Sequence, residues 1–314
     1  MNEAIPKRKR GPSRLFLRAF EAHNDQVKAL IGIEYTKATL TKFKTVRAHA
    51  QAFIRTQYGK PDLHIRQITP AFVADFEFWL KSARRIDHNT TMKYVACVRK
   101  IVLRALRSGW ITRDPFLGIS LAPHEVHRQA LTETELAALI KVVLPTRRLE
   151  RTRDIFLFCC YTGLAYADVR KLRRTDIFTG VDREPWLSIR RQNTETPARV
   201  PLLPAASAIL GRYSGYRDAR DPDRVLPVAS NQKMNDHLRE IADLAGISKH
   251  MTMHLARHTF ATTVTLNNGV PMETVSKMLG HRNLKATQLY AKIVDRKVSQ
   301  DMAVIRAKFS GDHG

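Results

Sequence analysis

Apolar residues along this chain recur mostly at helical intervals. In TKATLTKFKTVRAHAQAFIRTQYG, Leu40, Phe43, Val46, Ala50 and Phe53 fall on one face of a helix. Gly59-Lys60-Pro61 ends that helix. ITPAFVADFEFWLKS opens with Thr69 at the N-cap and Pro70 at the first helical position. HNTTMKYVACVRKIVLRALRSGW predicts a helix that starts after Asn89 and ends at Gly109, with Val95, Val98, Val102, Leu103 and Leu106 as its apolar stripe. The periodicity then lapses. Residues 113–129 carry Pro115, Gly118 and Pro123 and contain the expected linker. A new start follows in LTETELAALIKVV, where Thr132 and Glu135 form a capping box. Farther on, PWLSIRRQNTETPARVPLLP gives two short extended runs around a polar, proline-bearing turn, which predicts a β-hairpin. MNDHLREIADLAG, HLARHTFATTVTLNNG and PMETVSKMLG each predict a short helix closed by glycine. The expectation is a mainly α, two-domain protein. A helical domain spans 10–115, a linker 116–126, and an α-rich domain with a small β-hairpin 127–310. No internal repeat or low-complexity segment interrupts this plan.

Composition narrows the partner. The 314 residues are 44% hydrophobic, enough for two packed cores and too many for a disordered chain. Lys and Arg number 53 against 29 Asp and Glu, a net charge of +24. The excess is +14 over residues 1–120 and +10 over the remainder, so it belongs to both halves. A folded chain this basic repels itself unless a polyanion offsets the charge, and DNA or RNA is the expected partner. No apolar run approaches the ~18 residues needed to span a membrane, and no basic amphipathic helix stands apart from the folded pattern. Cys97, Cys159 and Cys160 have no metal-binding spacing and read as reduced core residues of a cytoplasmic protein. Arg99, Lys100, Arg104 and Arg107 flank one apolar stripe; they fit a solvated face or a DNA-facing one, and the net excess favours DNA. The KRKR run at 7–10 fits a nuclear address, a phosphate-touching arm or a solvated tail.

Candidate chemistry gathers late in the chain. His254 and Arg257 lie three apart and so share a helix face. An arginine fork suits two phosphate oxygens, and a histidine beside it can move a proton. Gly280 stops a helix and leaves His281 at its end. Tyr290 follows in a polar stretch. Each of these has an ordinary structural explanation when taken singly. Their order does not. HLARHTFATTV, then MLGH, then TQLYAKI resembles the C-terminal signature of the tyrosine recombinase (phage integrase) family. LFCCYTGLAYADVRKL resembles that family's earlier box, IRRQNTETPARVPLL falls where the family has its β-hairpin, and the first domain is similar to its SAM-like core-binding domain. The resemblance covers about residues 10 to 300.

That resemblance implies a C-shaped clamp closing on duplex DNA. The core-binding domain (10–115) would supply one jaw, and the catalytic domain (127–310) the other jaw and the chemistry. It implies Tyr290 as a nucleophile that attacks a DNA phosphodiester, leaving a 3′-phosphotyrosyl bond and a free 5′-hydroxyl. Arg257 and His281 would hold the non-bridging oxygens, His254 would give acid/base support and Asp168 would brace the active-site turn. The product would be site-specific strand exchange at double-stranded attachment or core sites by a homo-tetramer on synapsed DNA, monomeric when free. Covalent capture keeps the bond energy, so neither a cofactor nor a metal is implied. The phosphate contacts imply binding that falls steeply with salt.

Two positions depart from the family pattern. Ala165 stands where most members have a catalytic arginine, and Asn193 where most have a lysine that protonates the leaving 5′-oxygen. Loss of one oxyanion clamp costs on the order of 2.7–4 kcal/mol. TGLAYADV resembles a subset on Bacteroidetes-type mobile elements that lacks the first arginine yet recombines. Arg153 is the first candidate to replace that arginine, with an ordinary ion pair as its other explanation. Arg190 or Arg191 would replace the lysine's charge, and His254 its proton. Two rivals stand beside this expectation: a decayed recombinase that only binds DNA, favoured by Ala165 and Asn193, and a type IB topoisomerase, disfavoured by the small helical first domain. Many mobile-element integrases carry an arm-binding domain ahead of the core-binding one. Helical sequence starts early here, which fits either a two-domain recombinase or a chain that lost its front.

Overall fold

The computed structural model describes residues 14–125, 129–191, 196–219, 221–281 and 283–288, with positions 302–303, 305–306 and 308–309. The chain folds as two compact units, Met1–Val126 and His127–Gly314. The fold is mainly α with one small sheet, and no described helix is long and apolar enough to cross a membrane.

The first unit contains α1 (Phe16–Ala29), α2 (Lys37–Tyr58), α3 (Pro70–Ser82) and α4 (His88–Arg107). The α2 residues at helical spacing, Leu40, Phe43, Val46, Ala50 and Phe53, are all buried. Gly59 ends α2 in the left-handed region, φ +64°, which glycine adopts without a Cβ clash. Thr69 caps α3 by accepting from Phe72 N–H. Aromatic rings make the core, with Phe53 meeting Phe72 and Phe76 at 5.2 and 5.3 Å between centroids. The cap of α4 is Asp87, whose Oδ1 accepts from Thr90 N–H, so this helix starts ahead of Asn89. Its buried line runs Val95, Val98, Ile101, Val102 and Ala105, and Leu103 lies off it. Three of the four flanking cations are held within the unit. Arg99 lies 3.7 Å from Asp114, Lys100 sits over the rings of Tyr35 and Phe43, and Arg104 donates to Gln26. The expected linker also packs here. Phe116 is only 1% exposed, Ile119 and Leu121 lie on the same core, and His124 stacks on His88. Its Pro and Gly residues break helical periodicity while its apolar residues still find the core.

The second unit contains α5 (Glu133–Lys141), α6 (Arg147–Thr162), α7 (Tyr166–Val169), β1 (Ile177–Thr179), β2 (Pro185–Arg190), β3 (Pro197–Pro201), α8 (Pro204–Arg212), α9 (Asn231–Leu244), α10 (Met253–Thr259), α11 (Met272–Leu279) and α12 (Lys285–Gln288). The Thr132–Glu135 capping box is present in both directions. Helix α6 packs against α8, α9 and α10, and its run from Ile155 to Cys160 is buried all round, as a central helix requires. The hairpin β2–β3 gains β1 as a third antiparallel strand, in the order β1-β2-β3. Alternation puts Leu187, Ala198 and Val200 on the inner face. Past α10 the chain widens into a π-helical turn, Phe260–Thr265, then a 3₁₀ turn to Asn268. Threonine hydroxyls tie this segment down: Thr263 donates to Leu131 C=O, and Thr265 to the carbonyls of Phe260 and Ala261. Cys97, Cys159 and Cys160 are buried thiols, and burial pushes each upward in pKa.

Candidate active site

Two helix ends set the frame. Helix α6 stops at Gly163, φ +65°, where an added Cβ would lie 2.5 Å from the Phe260 ring. The glycine therefore lets the π-helical turn close onto α6. Helix α11 stops at Gly280, φ +64°, where an added Cβ would lie 2.7 Å from Cγ of Arg191. Helix ends expose carbonyls that lack intrahelical partners and carry partial negative charge, so they attract cations.

Both ends are gripped by guanidinium groups. Arg257, on α10, donates from Nη1 to Gly163 C=O at 2.8 Å and from Nη2 to Leu279 C=O at 2.6 Å. Arg191, just past β2, donates from Nη2 to the adjacent Met278 C=O at 2.7 Å and from Nη1 to Asp168 Oδ2 at 3.0 Å. Its side chain is 3% exposed and that of Asp168 6%. Burial and then the charge of Arg257 lower the Arg191 guanidinium to about 10, with Asp168 opposing them. It still carries its charge at neutral pH. Each arginine commits two of its five N–H groups to these anchors.

His281 follows the Gly280 turn. Its N–H donates to Ser276 C=O, and its ring Nδ1 lies 2.7 Å from Thr287 Oγ1. Burial, then Arg257, then Arg191 push its imidazole down to about 4, so the ring is neutral at neutral pH. Arg257, Arg191 and His281 thus share one electrostatic environment. His254 stands on the exposed side of α10, edge-on to the buried ring of His258 at 4.7 Å between centroids.

The remaining sequence candidates are distributed differently. Asp168 lies in the α7 turn headed by Ala165 and braces that turn through Arg191. Arg153 donates to Val142 C=O at the end of α5 and lies 3.4 Å from Asp154, which also binds Arg212 and Tyr213. The sequence made Arg153 the first replacement for the missing arginine; the guanidinium found beside Arg257 belongs to Arg191. Leu187, Ile189 and Arg191 continue one side of the β2 alternation, and Arg191 is buried at 3% exposure; it also lines, with Arg190, Asp168, Lys171, Arg173 and Arg224, a cleft of about 620 Å³. Asn193 and Tyr290 lie outside the described residues. Sequence reasoning missed Thr287 and the second role of Gly280 as space for Arg191. The TQLY motif held the one signal for Thr287.

Chemically, Arg257 and Arg191 are hydrogen-bond donors fixed on one helix end, with the neutral His281 imidazole following it. Two anchored guanidiniums and a neutral imidazole suit the oxygens of a phosphoryl group, whose transfer needs positioning and charge stabilisation.

Residues 129–297 match the Phage integrase family, and residues 15–121 match the Phage integrase SAM-like domain. Tyrosine recombinase XerA of Thermococcus onnurineus is 33% identical over 239 residues, covering 68% of this chain and 80% of that protein. Tyrosine recombinase XerC of Listeria monocytogenes is 25% identical over 223 residues, covering 67% and 73% respectively. Among solved structures, the Tn1549 transposon integrase in complex with a circular intermediate DNA superposes with a TM-score of 0.70 at 14% identity, covering 93% of this chain and 99% of that one. The lambda integrase tetramer bound to a Holliday junction gives a TM-score of 0.66 at 15% identity, covering 90% and 82%. At these identities the structural likeness speaks to fold.

Proposed function

The chain belongs to the phage integrase family of tyrosine recombinases, and from that premise we propose that it cuts and rejoins duplex DNA at specific sites through a 3′-phosphotyrosyl intermediate on Tyr290. The Tyr290 oxygen attacks the phosphorus, the bond to the 5′-oxygen breaks, and that oxygen leaves as a hydroxyl after taking up a proton. In the second half, a 5′-hydroxyl from the partner duplex attacks the phosphotyrosyl bond and releases the tyrosine. One phosphodiester is lost and one regained, so the exchange needs no external energy source. Four copies act on two synapsed duplexes, and the chain is monomeric when free. The positive charge carried by both halves supports duplex DNA as the substrate.

The observation that carries this reading is the pair of guanidiniums, Arg257 and Arg191, anchored on neighbouring carbonyls of one helix end beside His281. In this reading Arg257, Arg191 and His281 hold the non-bridging oxygens. Asp168 holds Arg191 in place. Arg191 then does the work of the arginine that Ala165 replaces. His254, exposed on the Arg257 helix, delivers the proton to the leaving 5′-oxygen, because a guanidinium is a poor proton donor. A nicked suicide duplex bearing the cognate core site tests it. Wild-type protein should give a covalent protein–DNA band on a denaturing gel, and Tyr290→Phe should not. Binding without any covalent band would leave a DNA-binding protein that occupies its sites without cutting them.

A further inference from the structure

Thr287 is fully buried, and its hydroxyl lies 2.7 Å from His281 Nδ1, within ordinary hydrogen-bond range. The backbone on both sides of this contact is fixed. His281 N–H donates to Ser276 C=O past the Gly280 turn, and Thr287 N–H donates to Leu284 C=O at 2.8 Å. Resting on the recombinase reading above, we propose that Thr287 is a positioning residue for His281: its hydroxyl donates to Nδ1, holds the ring as the Nε2–H tautomer, and so makes Nε2 the donor to the scissile phosphate.

A neutral imidazole has a single N–H, and the partner at one ring nitrogen decides which nitrogen carries it. The ring is kept neutral first by burial and then by two neighbouring cations. Arg257 comes from α10 and Arg191 from the end of β2. Arg199 of β3 and Lys277 of α11 line the same cavity as His281. A neutral ring with the wrong tautomer would turn a lone pair toward a phosphate oxygen and repel it. A carbonyl or carboxylate at Nδ1 would force that outcome, because it only accepts. A hydroxyl both donates and accepts. When an incoming phosphate draws a proton onto the ring, the Thr287 hydroxyl rotates and accepts from Nδ1–H, and the ring need not move. Nε2 is then a donor in both charge states. Thr287 also precedes Tyr290 by three residues, a reach of at most about 11 Å, so the contact ties the nucleophile's segment to the phosphate-binding histidine.

Long-range proton–nitrogen correlation spectra of histidine-labelled protein at pH 7, with His281 assigned through His281→Asn, report the tautomer directly. Wild type and Thr287→Ser should show Nε2–H, and Thr287→Val should lose that preference. Nδ1–H in the wild type would overturn the proposal, and this reading needs no Thr287 variant to fold. Single-turnover cleavage of the suicide duplex gives the second readout. Thr287→Val should cut about tenfold more slowly at pH 8, the loss expected from one missing hydrogen bond. The gap should close as pH falls, since an imidazolium donates from Nε2 whatever sits at Nδ1. Thr287→Ser should restore the rate, and Thr287→Val should add nothing in a His281→Asn background. A pH-independent, additive loss would mark a merely structural role and overturn the proposal. Absence of any wild-type covalent complex would sink the recombinase reading, and the spectrum would still decide the tautomer.

Discussion

Replacing Arg191 with methionine keeps a long side chain in its slot and deletes the charge. Two effects follow, and they separate. The first is on stability. Arg191 and Asp168 are both buried and paired at 3.0 Å, so the substitution leaves a carboxylate out of water with its cation gone. Breaking a buried pair from one side costs about 3–5 kcal/mol. For a unit of this size, each kcal/mol moves Tm by about 2–4 °C, so the variant should melt about 6–20 °C lower. The second effect is on chemistry. Loss of one preorganised donor to the phosphoryl oxygens costs about 2.7–4 kcal/mol, or about 100–1,000-fold in cleavage rate. The double variant Arg191→Met/Asp168→Asn distinguishes the two. Asparagine removes the stranded charge, so most of the stability should return while cleavage stays low. Calorimetry gives the first quantity and single-turnover cleavage of a suicide duplex, below the melting range, gives the second. Wild-type cleavage by Arg191→Met, or recovery of both quantities in the double variant, would refute the assignment of Arg191 as a phosphate clamp.

Gly280→Ala should be destabilised by more than about 1 kcal/mol, since alanine is strained at φ +64° and its Cβ would meet Arg191 Cγ; cleavage should fall with stability, and wild-type behaviour in urea titration and cleavage assay would show that the cradle is unimportant. His281 has a folded-state pKa of about 4 against 6.5 for an ordinary imidazole. As pH falls the unfolded chain takes up this proton first, so the stability this group contributes is whole above about 6.5 and is lost between 6.5 and 4. His281→Asn should therefore lose less stability than wild type across that window, and parallel urea-unfolding profiles would contradict the depressed pKa.

Local rules were legible where a residue acts within its own element. Thr69, Thr132, Gly59 and the α2 stripe follow from spacing and cap chemistry, and so does the hairpin. Asp87 was missed because Asn89 offers a similar cap two residues later. Phe116 was missed because proline and glycine around it signal a loop, and whether a loop packs depends on the partner surface. The short β1 has too few residues to show alternation. The π-helical turn depends on threonine hydroxyls reaching carbonyls that the linear pattern does not bring near, such as that of Leu131. Order and motif named Arg257, His254, His281 and Asp168, which the structure describes, and Tyr290, which lies outside the described residues. That Arg191, and not Arg153, lies beside Arg257 on the α11 end needed tertiary structure, since both contacts join segments remote in sequence. Gly280 read as a helix stop, while its role as space for Arg191 arises between segments remote in sequence.

The central claim is chemical: a phosphotyrosyl bond at Tyr290. Its most direct measurement is mass spectrometry of the covalent complex after exhaustive nuclease and trypsin digestion. Trypsin releases residues 286–292, ATQLYAK, from wild-type protein. This peptide should carry a nucleotide joined through its 3′-phosphate to Tyr290, with a 5′-hydroxyl on the released strand. A nucleotide on any other residue, or a 5′-linked adduct, would contradict it.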